Sequence, residues 1–178
     1  MHKPMIAATL FALSGIAALP QTATPTPQPG PEHQRLAFMV GKWRSEAEMK
    51  PGALGPGGRM TFTQTCEWYS GGFAVVCNSV SNWAHGDVKA LSITSYDPGE
   101  KRYVYFETNT SGENTLAKGT IDGPTWTWLG QSRMGGKLLR NRFIMKEVPP
   151  DAAAYTFEMA DGDGPWAEVM HGKQTRVK

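Results

Sequence analysis

The 178-residue chain, of 19.4 kDa, has the length of one ordinary domain and no room for two sizeable ones. Its 18 Lys and Arg against 16 Asp and Glu leave a formal charge of +2, so composition gives no ground for nucleic acid or an anionic membrane as the main partner. A hydrophobic content of 40% excludes a disordered chain, and 20 Gly with 6 Trp favour short strands and tight turns over long helices.

The N-terminus has the pattern of an export signal. Lys3 supplies a positive start, and Met5 to Leu19 is an uncharged apolar run too short and too rich in small residues for a membrane span. Small residues place cleavage after Ala18 or after Ala23, so residues 1–23 read as a signal peptide. No Cys follows the run, so there is no lipoprotein attachment site. The expected location is periplasmic or secreted, with no stable membrane anchor after signal removal. Residues 24–31 form a Pro/Thr-rich linker, because proline lacks a backbone donor and cannot join a regular element. The folded domain is expected over residues 32–178.

Pro31 to Val40 can make one short helix. Pro31 suits a first helical position, Glu32 favours the positive end of the dipole, and Leu36, Met39 and Val40 share a face. From Lys42 onward the chain reads strand, turn, strand. The strands fall at 42–50, 59–70, 73–83, 87–96, 101–110, 113–122, 125–132, 137–147, 153–160 and 165–177. Gly71-Gly72, Asp97-Pro98-Gly99, Ser111-Gly112, Asp122-Gly123-Pro124, Gly135-Gly136, Pro149-Pro150-Asp151 and Asp161-Gly162-Asp163-Gly164 supply the turn chemistry between them. Ten sequential strands joined by short turns predict an all-β, antiparallel up-and-down sheet, closed into a barrel because closure removes its edges.

Cys66 and Cys77 stand symmetrically about Gly71-Gly72, so a hairpin centred there sets them directly opposite each other. Cross-strand Cβ atoms at that position are close to bonding distance, and an oxidising compartment predicts a disulfide. The spacing is not the C-x-x-C of a redox or metal pair. The same hairpin puts Met60, Phe62, Gln64, Cys66 and Trp68 on one face, with Thr61, Thr63, Thr65 and Glu67 on the solvent side. In the eighth strand Leu139, Asn141, Phe143 and Met145 face one way while Arg140, Arg142 and Lys146 face the other; Tyr155, Phe157 and Met159 share a face in the ninth. An aromatic and methionine interior with Gln64 and Asn141 could hold a small organic molecule. The alternative is a barrel filled by these same side chains.

Leu36-Ala37-Phe38-Met39-Val40-Gly41-Lys42-Trp43 resembles the opening of calycin (lipocalin and fatty-acid-binding type) barrels, where a short helix leads into Gly-x-Trp on the first strand. Thr175-Arg176-Val177 resembles their last strand. The resemblance implies that Arg176 covers Trp43 at the barrel floor, a cation–π contact. If Arg176 points inward, alternation sends Gln174, Met170, Glu168 and Trp166 inward too. More closely, the Leu-x-x-Met-x-Gly-x-Trp start, Tyr69-Ser70-Gly71-Gly72-Phe73, Tyr96-Asp97 and Asp122-Gly123-Pro124-Thr125-Trp126 resemble the bacterial calycin-like family catalogued as domain of unknown function 1579, over roughly residues 34–178. That resemblance brings no reaction with it.

The expected ligand-lining residues are Phe62, Gln64, Trp68, Asn141, Phe143, Met145, Tyr155, Phe157 and Met170. The expected partner is a small apolar or amphipathic molecule and not nucleic acid; no cofactor and no metal is assigned. Haem, as in neighbouring nitrobindin-like barrels, would need an inward His on a late strand. Alternation points His171 outward, and His33 and His85 read as solvent-facing. Asp161-Gly162-Asp163-Gly164 lacks the later acidic ligand of a calcium loop. Arg133, Lys137, Arg140, Arg142 and Lys146 read as an outward basic face that neighbouring acidic strands offset, the alternative being a site for a phosphate or polyanion. No nucleophile elbow, phosphate loop or metalloprotease helix occurs, so no catalytic residue is assigned. An enzyme would have to use inward carboxylates such as Glu107 and Glu168, and Glu168 is expected to pair with Arg176.

Overall fold

The structure is a computed structural model that describes residues 26–52, 55–83, 86–134 and 136–178. The signal peptide, its cleavage sites and His85 lie outside the described residues. A helix α1 (Pro31–Arg35) runs into a 3-10 turn (Leu36–Met39). Ten strands follow: β1 (Gly41–Met49), β2 (Gly58–Trp68), β3 (Ala74–Trp83), β4 (Gly86–Asp97), β5 (Arg102–Asn109), β6 (Asn114–Asp122), β7 (Thr125–Met134), β8 (Lys137–Val148), β9 (Ala152–Asp161) and β10 (Ala167–Val177). Each pairs antiparallel with its sequence neighbour, and β1 pairs with β10, so the sheet closes into the expected up-and-down barrel.

Alternation decides what faces inward. Trp43, Ser45, Ala47 and Met49 on β1 are buried, while the residues between them are exposed. The hairpin of β2 and β3 has the register read from its central glycines, with Cys66 opposite Cys77 and Phe62 opposite Ser81. Cys66 and Cys77 are joined by a disulfide.

The N-terminal helix plugs one end of the barrel, its floor. Leu36, Trp43, Val75 and Trp126 are at most 1% exposed there. The floor is held by two arginines stacked on two tryptophans. The Arg176 guanidinium carbon lies 4.2 Å from the Trp43 ring centre, and that of Arg35 lies 5.5 Å from the Trp126 ring centre. Arg176 donates to the carbonyls of Phe38 and Val40 and to Asp151, while Arg35 bonds Glu147 at 2.6 Å. This explains the glycine two places before Trp43. Gly41 has φ 122°, and a Cβ there would come within 2.6 Å of the Arg176 guanidinium, so the position needs both a left-handed backbone and no side chain. His33 corrects the sequence reading. It is 7% exposed, edge-on to Phe73 and Tyr96, and its Nδ1 accepts from the Gly30 amide. A helix docked across a barrel end buries the histidine on its inner side.

The last strand brings two further corrections. A bulge between Glu168 and Met170 shifts the β9–β10 register by one residue. Because side chains alternate with period two, that extra residue flips everything before it. Glu168 therefore faces outward and pairs with Lys50 at 2.9 Å and His171 at 3.0 Å, not with Arg176. Trp166 also lies outside, where Arg140 and Arg142 stack on its ring at 4.9 and 4.6 Å. The outward basic face is matched by carboxylates at two of its five residues, Arg142 with Glu158 at 2.5 Å and Lys137 with Asp161 at 3.0 Å, while Arg140 donates to the Gly162 and Gly164 carbonyls.

Candidate functional site

The barrel interior is sealed at the floor by the helix and its stacked arginine–tryptophan pairs; the opposite end is the mouth. Away from the floor the inward side chains are mixed: Phe62, Gln64, Ser79, Glu107, Phe143, Phe157 and Met170 are partly exposed, while Met49, Met60, Met145, Tyr155 and Met159 are buried. Their chemistry is divided around the circumference. Strands β8–β10, β1 and β2 supply an apolar half. One ladder row across it runs Phe143, Phe157, Met170, Met49, and the next runs Met145, Tyr155, Gly172, Ala47. The Phe143 and Tyr155 rings lie 5.3 Å apart. Strands β3–β7 supply a polar half that includes Ser79, Ser92, Glu107, Thr115 and Ser132.

The expected lining residues fall as follows. Phe143, Met145, Tyr155, Phe157 and Met170 form one continuous apolar surface. Phe62 and Gln64 adjoin it through β1, opposite Ser45 and Trp43. Asn141 sits at the border of the two halves, 8% exposed, with its amide 3.5 Å from the Ser132 hydroxyl. Trp68 has the inward parity but is the last residue of β2 and is 38% exposed, so it does not join the others.

Sequence reasoning left three inward polar residues off the lining: Ser92, Tyr105 and Glu107. Ser92 stands opposite Glu107 across the β4–β5 ladder. The Tyr105 hydroxyl donates to the Glu107 carboxylate, and its ring packs 5.9 Å from Trp128. Burial, and then the neighbouring charge of Glu107, push the Tyr105 phenol well above its ordinary value. Burial also raises the Glu107 carboxyl above the usual carboxylate range; the Tyr105 hydrogen bond opposes that shift and the Glu113 charge adds to it. One ladder step from Tyr105, the Thr94 hydroxyl is fully buried and has no hydrogen-bond partner among the described residues. Alternation in Tyr103-Val104-Tyr105-Phe106-Glu107 is visible in the sequence, but both faces are apolar enough that it does not say which is inside.

The outer wall carries two grooves of its own. One, of about 970 Å3, runs over the outward faces of β4–β8 past Ile93, Phe106, Leu116 and Leu129. The other, of about 800 Å3, lies over β8–β10, β1 and β2. Both are lined mainly by outward side chains, with inward Tyr105 and Asn141 also bordering the first and inward Met60 and Tyr155 the second. Among the described residues, no group of three or more His, Cys, Asp or Glu could hold a metal ion. His171 faces outward, and the buried His33 stands at the floor, outside the mouth half.

Residues 28–176 match the family model described as Protein of unknown function (DUF1579). The chain belongs to this family. Among solved structures, this chain shares its fold with one described as the crystal structure of Rv2717c from M. tuberculosis. The two align at a TM-score of 0.58 and 13% identity, over 84% of this chain and 99% of that one. An identity that low shows the fold alone. No protein of curated function matches the chain significantly.

Proposed function

We propose that this DUF1579 protein binds a small, mainly apolar molecule in the mouth half of its barrel interior, after export from the cytoplasm. The observation that carries the binding reading is that Phe62, Phe143, Phe157 and Met170, inward and above the sealed floor, stay partly exposed. A barrel filled by its own side chains would bury them throughout. Apolar surface left open inside a concave wall, with a few polar groups opposite, is the ordinary composition of a small-molecule site. Export rests on the apolar run Met5 to Leu19 and is supported by the Cys66–Cys77 disulfide, a bond favoured outside the reducing cytoplasm. Among the described residues no helix is long and apolar enough to cross a membrane.

The test uses the uncharged fluorophore N-phenyl-1-naphthylamine, together with organic extraction of protein purified from its own host. Saturable binding that is lost in Ala90→Trp, which places an indole on the inner wall, is the expected result. Absence of both probe binding and any recurrent co-purifying molecule overturns the reading in favour of a filled structural module. Subcellular fractionation, with sequencing of the mature N-terminus, tests export separately.

A further inference from the structure

The charges inside the barrel are unevenly matched. At the floor, inward Glu147 is held by Arg35 and by the Trp126 indole N–H, each at 2.6 Å, and Arg176 is held by Asp151 at 3.1 Å. Glu107, further toward the mouth, has no cationic partner among the described residues. Its neighbours across the two ladders are the neutral Ser92 and Thr115, and its one recorded side-chain bond is from Tyr105. The charge that acts on it has the same sign: Glu113, in the β5–β6 hairpin, where Asn109 bonds it at 2.9 Å. A carboxyl drawn out of water beside another carboxylate costs free energy unless something compensates it. Tyr105 meets one oxygen and leaves the other lone pairs open. The opposite half of the interior is aromatic and methionine.

Resting on the proposed interior binding, the geometry points to a ligand that carries a protonated amine on an apolar body, with Glu107 as its counter-ion. The apolar portion lies against Phe143, Phe157 and Met170. The ammonium N–H groups donate to the Glu107 carboxylate, whose position the Tyr105 hydroxyl holds. A Glu107 that is protonated in the free barrel gives its proton to solvent when the ammonium binds. Amine affinity therefore rises with pH through the Glu107 range, while the amine itself stays protonated. Glu113 favours the same cation. Ser92, Thr115 and Tyr105 are the other polar groups facing Glu107, and of these only Tyr105 titrates, far to the alkaline side.

Decylamine, decanol and decanoate separate the charge from the chain. Each displaces N-phenyl-1-naphthylamine from the full-length mature protein at concentrations below micelle formation. A charge-assisted hydrogen bond inside the barrel gives decylamine about a tenfold advantage over decanol, with decanoate weakest. Glu107→Gln abolishes the preference for decylamine over decanol. A wild-type measurement stands in if that variant does not fold: from about pH 4 to 7 decylamine binds more tightly while decanol does not change. Equal affinity for amine and alcohol, or an amine preference independent of pH and retained in Glu107→Gln, overturns the counter-ion role and leaves interior binding intact. Failure of every probe to bind overturns both.

Discussion

Arg176, on the last strand, lies flat over Trp43 on the first, with its guanidinium carbon 4.2 Å from the indole ring centre. The two residues are direct ladder partners, so the contact sits on the seam that closes the barrel. The indole N–H donates to the Met39 carbonyl at 2.8 Å, and the guanidinium takes the carbonyls of Phe38 and Val40. The pair thus ties three parts of the chain together: the 3-10 turn after the N-terminal helix, β1 and β10. Trp43→Ala is expected to cost about 3–5 kcal/mol, the usual range for a buried Trp. Arg176→Ala should cost less, on the order of 2 kcal/mol, mainly through two carbonyls left without a donor. The double variant should fall short of the sum by about 0.5–1 kcal/mol, because each change removes the same stacking contact. Urea unfolding of the four proteins measures this, and strict additivity would show that the stacking contributes nothing.

The Cys66–Cys77 disulfide spans a sequence separation of 11. Closing a loop of that size in the unfolded chain contributes on the order of 3 kcal/mol on the chain-entropy model. Both sulfurs are buried, so reductant alone should act slowly on the folded protein. The double Cys66→Ser, Cys77→Ser variant is expected to fold with a denaturation midpoint lowered to match, and protein recovered from its oxidising compartment should show no alkylatable thiol by intact mass. Two freely alkylated cysteines in unreduced folded protein would contradict the structure.

Much of this fold is written in its turns. Glycine and Asp-Gly pairs mark hairpins locally, and a hairpin centre fixes the register of both arms, so the opposition of Cys66 and Cys77 follows from counting. The strand boundaries agree with the turn positions within about two residues for the same reason. What defeats counting is a change of phase inside a strand. Nothing in Ala167-Glu168-Val169-Met170 signals a bulge, since no Gly or Pro marks it, and the phase carried back from Arg176 therefore misplaces Glu168 and Trp166. A strand with two apolar faces defeats it as well. β5 presents Tyr103 and Tyr105 on one side and Val104 and Phe106 on the other, so the inward position of Glu107 follows from the barrel and not from the pattern. The buried His33 depends on where the helix docks, a tertiary contact that its own five residues do not encode.

Three interior glycines, Gly119, Gly130 and Gly172, are close-approach sites, and two of them meet aromatic rings. A Cβ on Gly119 would lie 2.5–2.8 Å from the Trp128 ring, and one on Gly172 would lie 2.6 Å from both the Tyr155 ring and the Glu46 carbonyl. Neither glycine has a positive φ. The cost of alanine here is therefore overpacking, expected at about 1–3 kcal/mol each. Gly119→Ala should also shift the Trp128 fluorescence, which a mere loss of backbone freedom would leave in place. A stability change below about 0.5 kcal/mol, the range of ordinary surface substitutions, would mean that the ring moves aside freely.

Two glutamates should give the stability curve opposing slopes in acid. Burial raises Glu107 above 4.5 in the folded protein, so folding favours its protonated form. Its contribution is fully present below its unfolded value and is lost as pH rises through the raised folded value. Lys50 and then His171 hold the exposed Glu168 below 4.5, so its contribution is present above the unfolded value and lost as pH falls. Glu107→Gln is therefore expected to remove a decline in unfolding free energy on the neutral side of about pH 4.5, and Glu168→Gln to remove a decline on the acid side. Far to the alkaline side, burial carries the Tyr155 phenol up to about 12 against the opposing Ser45 hydrogen bond, so its contribution is lost only above its ordinary value of 10.0. Chemical denaturation repeated across the pH range, with Tyr155→Phe included, separates the three. If Glu107→Gln leaves the neutral limb of the curve unchanged, the carboxyl is as well solvated in the folded barrel as in the unfolded chain.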